Sequence, residues 1–485
     1  MQTRKGREQE ELFVAGPLSS LIPADHLFRQ VDGVLDLSWL HEEVRDCYHQ
    51  EMGRPSIDPE SALRLMLAGF FEGIVHDRKL LRRAQTDLAF RWFAGYRLDE
   101  KLPHHSSLTR IRQRWGVERF KRVFQKTVQA CLDAGLVNAE TIHVDATLIR
   151  ADVSWESLTT RHADDVFEAN RAPDRDEQTD PDEPRGKGLG KSDSTASNSK
   201  KQSTTDPDAS MATSNKRRRL EPTFKQHTAV EDQSGVVVDV AVTTGEENEG
   251  KHLVEQLERV EETTGTKPRT VTADAGYAHA ANYAALEERS IDAVIPPQRA
   301  SRRKKERLPL RRFKYDAQHD WLTCPGGCRL SRKGRSQDGR GYWYRARGRD
   351  CACCPLKSRC ISDKAHSRSI LLADGYPALL RARRRKEKGW DAPTRDAYTR
   401  HRWRVEGVHG RVKTHHGLHR AARRGLDNVT IQALLSASVM NLKRLAAACF
   451  SKVLLWDCIE GLWKRHKHLW RIGNLGLLQS APTAA

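Results

Sequence analysis

Two short apolar runs, Thr141-Ile142-His143-Val144 and Thr270-Val271-Thr272-Ala273, each lead directly into an aspartate, Asp145 and Asp274. Runs of this length, rich in β-branched residues and ending at a turn former, read as strands. The segment between them continues the pattern. Strand-like stretches at 227–230 and 236–243 flank Asp232-Gln233-Ser234-Gly235, which reads as a hairpin turn. A helix is expected over 251–262, then the strand at 270–273, a helix over 279–288 and a short strand at 293–295. Strands first paired as a hairpin and then alternating with helices predict a mixed α/β sheet.

The rest of the chain reads differently. Residues from about 17 to 135 look helical. Asp58-Pro59-Glu60-Ser61 resembles a helix start, and Ala62, Leu63, Leu65, Met66, Leu67, Phe70 and Phe71 follow at helical spacing. Further helices are expected over 78–93, 106–113 and 118–134. Short helices separated by Arg and His suit a helix-turn-helix-like module, and a plain helical bundle with an Arg-rich surface fits equally well. Between 155 and 222 the chain is Asp, Ser, Thr, Lys and Pro with almost no aliphatic residues, which predicts a loop or disordered insertion.

Of 485 residues, 83 are Lys or Arg and 64 are Asp or Glu, a formal charge of +19. Such a chain gains affinity for polyanions by releasing their counterions, so nucleic acid is the expected partner. No run is read as reaching the roughly 18 apolar residues of a membrane span. No secretory signal is read at the start, so a cytoplasmic protein is expected.

Placement singles out three acids among the 64. Asp145 and Asp274 each end an apolar run, so both are expected at strand ends facing one cleft, where α/β sheets hold ligands. Gly276 eases the exit from the second strand. Far downstream, Arg402, Glu406, His409 and Lys413 are offset by 4, 7 and 11 residues, the stripe of one helix. That face offers a carboxylate for a metal beside cations for phosphates. From 381 to 424 there are 15 Lys and Arg against four acids, with five histidines interleaved between 401 and 419. Such density repels itself unless a polyanion lies across it. Three carboxylates of this kind could hold two divalent cations against a phosphodiester, which makes a DNA-cutting enzyme the leading expectation.

Six of the ten cysteines fall between Cys324 and Cys360, amid Gly and Arg with little aliphatic core. In a reducing compartment such clustering points to metal, and four thiolates around one Zn2+ would supply the folding energy this segment lacks. Cys47, Cys131, Cys449 and Cys458 read as isolated core residues. Trp456, Trp463 and Trp470 recur every seven residues, a stripe expected to be buried in packing, with a dimer contact the second choice.

With these motifs in hand, the chain resembles the DDE transposases of bacterial insertion sequences, in the group with a helical N-terminal domain and a cysteine-bearing insertion before the last acid. His143-Val144-Asp145-Ala146-Thr147, Ala273-Asp274-Ala275-Gly276-Tyr277 and the run from Arg402 to Lys413 carry the resemblance, which extends from about 18 to 445. It implies an RNase H-like catalytic core, with an all-α N-terminal domain and a small zinc-knuckle-like insertion. It places the catalytic acids, and ligands for two Mg2+ or Mn2+ ions, on Asp145, Asp274 and Glu406. Arg402 and Lys413 match the family's phosphate-binding Arg and Lys, with His409 and Arg411 of the same helix also expected to bind DNA, and Cys324, Cys351, Cys354 and Cys360 would hold zinc, with Cys328 and Cys353 as alternates. Related enzymes carry a tyrosine three residues before the arginine. That place is Thr399 here, with Tyr398 one step away. Double-stranded DNA would be the substrate, and self-association is expected because two element ends must meet.

The expected domains are 1–135, helical; 136–300, the first part of the core; 301–370, the cysteine-rich insertion; 371–450, the second part of the core; and 451–485, a C-terminal helix and tail. The rival readings are a DNA-binding regulator that has lost catalysis and another RNase H-like nuclease.

Overall fold

The computed structural model describes residues 16–49, 56–160, 201–213, 220–298, 308–337 and 339–476; the side chains of residues 159, 160 and 452–476 lie outside that description. The chain divides into two compact units, 1–119 with 442–485, and 120–441. The division falls at residue 119 rather than at the expected boundary of 135.

The first unit is helical. Asp58 caps helix Pro59–Phe71 by accepting the Ser61 amide at 2.7 Å, with Pro59 in the first turn. Such a cap stabilises a helix by about 1 kcal/mol. The apolar positions of this helix are buried, and Phe71 joins Phe28, Phe90 and Phe93 in an aromatic core, in which Phe28 stacks on Phe93 at 4.9 Å. The single helix expected over 78–93 is two, Asp77–Thr86 and Leu88–Phe93. Asp87 breaks it by capping the second, accepting the Ala89 amide at 2.9 Å. Helix Asp77–Thr86 buries Leu80, Leu81 and Ala84 and exposes Arg78, Lys79, Arg82 and Arg83. The break expected near 114–117 is present. Helical tract His105–Asp133 is interrupted at Gly116, whose φ of 67° and ψ of 177° suit glycine almost alone.

The second unit is built on a six-stranded sheet. Its strands are β1 (Thr141–Arg150), β4 (Ser210–Ala212), β5 (Glu221–Glu231), β6 (Val237–Thr244), β7 (Thr270–Ala273) and β8 (Asp292–Val294). The order is β4-β5-β1-β7-β8, with β6 also on β5. β6, β5 and β1 pair antiparallel; β1, β7 and β8 pair parallel. This is the mixed α/β arrangement expected from the hairpin-then-alternation pattern. Helix Leu253–Thr264 packs on β6, where buried Asp239 takes two hydrogen bonds from Arg259 and one from Gln256.

Two expectations need correction. The stretch 155–222 is not wholly loop: β2 (Leu158–Thr160) pairs with β3 (Lys201–Ser203), and β4 extends the main sheet. Backbone pairing with β5 supplies for β4 what its composition could not. Residues 161–200 and 214–219 lie outside the described residues. The second correction concerns Leu426–Ser451, which by length and hydropathy is apolar enough to cross a membrane. Two thirds of its most apolar window is buried in the protein, as befits a core helix.

Between β8 and helix Tyr376–Lys388 lies a five-stranded antiparallel sheet, β13-β12-β11-β10-β9, formed by Ser369–Ala373, Gly341–Ala346, Arg329–Arg335, Trp321–Thr323 and Lys314–Asp316. The cysteines occupy the loops and short helices around it.

Candidate active site

Register alone brings the two aspartates together. In the parallel pair β1·β7 the last partners are Val144 and Ala273, so Asp145 and Asp274 come next, at one level and on one face. Asp274 closes its strand as expected. Asp145 does not, because β1 runs on to Arg150 and places it at mid-strand. The continuation is held by β5, where Asp145 is paired with Thr228 and Ile149 with Phe224. The apolar run ends at Asp145 because β7 ends beside it at Ala273, while β1 itself continues on β5.

Asp145 is 24 % exposed and its Oδ1 accepts the Ala146 amide at 2.8 Å. Burial pushes its pKa up to about 7, and the charges of Asp274, Glu249 and Glu406 push in the same direction. Asp274 sits in the turn before Ala275–Tyr277, where its Oδ1 accepts the Gly276 amide at 2.7 Å. Burial raises its pKa as well, opposed by the Gly276 and Tyr277 amides.

The third acid arrives on helix Ala392–His415, capped by Asp391 through the Thr394 amide at 3.0 Å. Its inward face buries His401, Val405, Val408, His409 and Val412. A buried hydrogen-bond chain ties this face to both aspartate strands. Asp232 lies 3.0 Å from His143 Nε2, His143 Nδ1 lies 2.6 Å from Thr272 Oγ1, and Thr272 Oγ1 lies 2.9 Å from His401 Nδ1. Arg400, on the same helix, donates to Asp232 at 2.8 Å. His143 and Thr272 each precede a site aspartate by two residues, so strand alternation points the chain toward the same face as the acids.

Glu406 is 63 % exposed and faces Arg402, whose Nε lies 3.4 Å away. Its charge still reaches Asp145. Arg402 and Arg411 are exposed, and Lys413 is half-buried, its pKa lowered by burial and raised by Asp145. His409, expected beside phosphates, is instead buried. Its Nδ1 lies 3.6 Å from Asp145 Oδ2 and its Nε2 3.0 Å from Thr228 Oγ1. The helical stripe is real, but its inner edge turns into the core. Tyr398, not Thr399, approaches the acids: burial raises its pKa, with further contributions from Asp274 and Asp145. Thr399 bonds back to its own helix, at 2.8 Å from the Arg395 carbonyl.

One acid escaped sequence reasoning. Glu249, after β6, raises the pKa of Asp145 and is itself raised by burial and by Asp274. Its only signal was an acid-rich run, Glu246-Glu247-Asn248-Glu249, which reads equally well as a solvated turn. Among the described residues no three His, Cys, Asp or Glu side chains close to metal-binding geometry. The donor set is nevertheless of the kind a hard divalent cation takes: oxygen ligands only, with the charges of Asp274, Glu249 and Glu406 all raising the pKa of a largely buried Asp145.

The cysteines converge elsewhere. Cys324, Cys328, Cys351, Cys354 and Cys360 line one small cavity with Leu330, Ile361 and Arg368. Gly326 leaves room there, since a Cβ would stand 3.3 Å from Cys354 Sγ and 3.6 Å from Cys324 Sγ. Burial raises the Cys360 thiol, as do Cys351, Cys324 and Cys354. Cys353 is exposed, with its Sγ 3.5 Å from the Arg349 carbonyl, and does not line the cavity. Cys131 is buried as expected, Cys47 and Cys449 are half-buried, and Cys458 and the three tryptophans of the stripe have side chains outside the described residues.

Comparison with known proteins gives two family matches. Residues 17–114 match the family described as Transposase domain (DUF772), and residues 190–442, more than half of the chain, match Transposase DDE domain. The second match contains Asp274 and Glu406 and begins after Asp145. No curated protein matches the chain. Among solved structures, the piggyBac transposase synaptic complex with hairpin DNA is similar at 10 % identity over 88 % of this chain and 75 % of that one, with a TM-score of 0.33. The Mos1 transposase paired-end complex with left transposon end is similar at 10 % identity over 51 % and 61 %, with a TM-score of 0.16. Likeness this slight carries no argument.

Proposed function

The chain belongs to the Transposase DDE domain family and is an insertion-sequence DDE transposase, a DNA-cleaving and strand-transfer enzyme; from that premise we propose that Asp145, Asp274 and Glu406 are its catalytic acids. The observation that carries this reading is the β1·β7 register, which sets Asp145 beside Asp274, together with the charge of Glu406 reaching Asp145 from the helix pinned across both strands. The strand order, three antiparallel then two parallel, supports an RNase H-like core.

Two Mg2+ or Mn2+ ions held by these carboxylates would lower the pKa of the attacking water and stabilise the leaving 3′ oxygen. Asp145, Asp274 and Glu406 are the residues that would hold them. His409 orients Asp145 from beneath. Arg402, Arg411 and Lys413 would hold phosphates of the scissile strand. The exposed arginines and lysine of helix Asp77–Thr86 suit phosphate contacts at the element ends. The five-cysteine cavity supports one structural Zn2+ on Cys324, Cys351, Cys354 and Cys360, and self-association on DNA follows from the need to join two ends.

The test is cleavage and strand transfer on DNA carrying the element's own inverted repeats, with Mg2+. Asp274→Ala and Glu406→Ala are expected to abolish both while leaving end binding intact. Normal cutting by either variant refutes that residue's assignment. End binding without cutting by the unaltered protein would favour the regulator, and hydrolysis without joining a nuclease.

A further inference from the structure

Glu249 opens the turn Glu249–His252, directly ahead of helix Leu253–Thr264. The residues on either side of it are fastened to the segment that follows Asp274, Asn248 by its side chain and Gly250 by its backbone. His279 Nε2 lies 3.1 Å from Asn248 Oδ1, and Asn282 Nδ2 donates to the Gly250 carbonyl at 2.8 Å. Glycine is needed at 250 for this approach, since a Cβ there would stand 2.0 Å from His279 Cδ2. A second glycine marks where the side chain goes. A Cβ on Gly276 would stand 2.1 Å from Glu249 Oε1 and 2.9 Å from Asp274 Oδ1. The two carboxylate oxygens therefore flank one small space that the glycine leaves open. Hard cations take oxygen ligands at about 2.0–2.6 Å, so a single ion can touch both.

We propose that Glu249 is a fourth carboxylate of the active site, sharing with Asp274 the divalent cation that Asp274 binds. The proposal rests on the reading of Asp145, Asp274 and Glu406 given above. A carboxylate held for structural reasons would be expected to accept fixed hydrogen bonds. Among the described residues, none donates to the Glu249 side chain. Lys225 lowers its pKa by charge alone, since the Lys225 ammonium donates to the Glu247 carbonyl. Glu406, by contrast, is mostly in solvent and meets Arg402. Of the two glutamates, Glu249 acts more strongly on Asp145.

Two measurements on the full-length protein test this. The first is Mn2+ titration by calorimetry on the unaltered protein, Asp274→Asn and Glu249→Gln, with the Mn2+ dependence of cleavage followed in parallel. Glu249→Gln is expected to weaken Mn2+ binding, and to raise the Mn2+ needed for half-maximal cleavage, by about tenfold or more. A lower maximal rate at an unchanged Mn2+ midpoint would overturn the proposal, since a purely structural role predicts that result. The second needs no variant: the anomalous signal of Mn2+ in crystals of the unaltered protein. Density touching both Glu249 and Asp274 supports the proposal. Density on Asp274 alone overturns it while sparing the catalytic reading, and absence of Mn2+ from Asp274 sinks the catalytic reading itself.

Discussion

Arg402 and Glu406 show how little a contact distance says about a side chain's purpose. With 81 % and 63 % of their side chains exposed, the pair contributes little to stability. Arg402→Ala should therefore leave the melting temperature unchanged. A hydrogen bond to a charged group is worth roughly 1.5–3 kcal/mol, so if Arg402 holds a phosphate, cleavage should fall about tenfold to a hundredfold. Thermal melts beside initial cleavage rates check this; an unchanged rate would place Arg402 outside the site. At this scale the sequence was informative about residue type and less so about direction. The 4, 7, 11 spacing identified the stripe of Arg402, Glu406, His409 and Lys413, yet spacing cannot say which edge of a stripe meets the core. His409 lies on the buried edge because β1 and β5 pack beneath it.

At the scale of elements, helix Ala392–His415 is aimed by the chain Asp232, His143, Thr272 and His401. The donors run one way if both rings are neutral: His401 Nδ1–H to the threonine oxygen, the threonine hydroxyl to His143 Nδ1, and His143 Nε2–H to Asp232. Burial favours that state, lowering His143 and bringing His401 down to about 4 from 6.5. A depressed histidine is protonated in the unfolded chain before the folded one, so its contribution to stability is full above pH 6.5 and is lost as the pH falls toward 4. His401→Gln removes this ionisation. Its melting temperature should decline less than that of the unaltered protein over that window, measured as the difference between the two pH profiles. Parallel profiles would mean that His401 does not titrate as its burial requires. None of this chain was legible beforehand. His143 and Thr272 read as strand residues and His401 as one of a basic cluster, because hydrogen bonds across three elements leave no trace in local spacing.

For the whole molecule, the test that matters is the cysteine-rich insertion. Its sheet has few aliphatic residues, and five thiols line one cavity. If zinc supplies its folding energy, elemental analysis should find one zinc per chain, and Cys351→Ser should lose it and lower the melting temperature. A metal-free protein with an unchanged melt would leave the cysteines as packing residues. Strand and helix types, the break at Gly116, the cap at Asp58 and the two aspartate motifs were all written locally, in period, turn chemistry and charge, because each depends on a few neighbouring residues. Tertiary structure decided the rest: that β1 continues past Asp145, that β4 joins the sheet, that Leu426–Ser451 is a core helix, and that Glu249 and Asp274 flank the gap left by Gly276. Those outcomes depend on which strand or turn lies alongside, and a linear pattern carries no record of neighbours that only folding brings into contact.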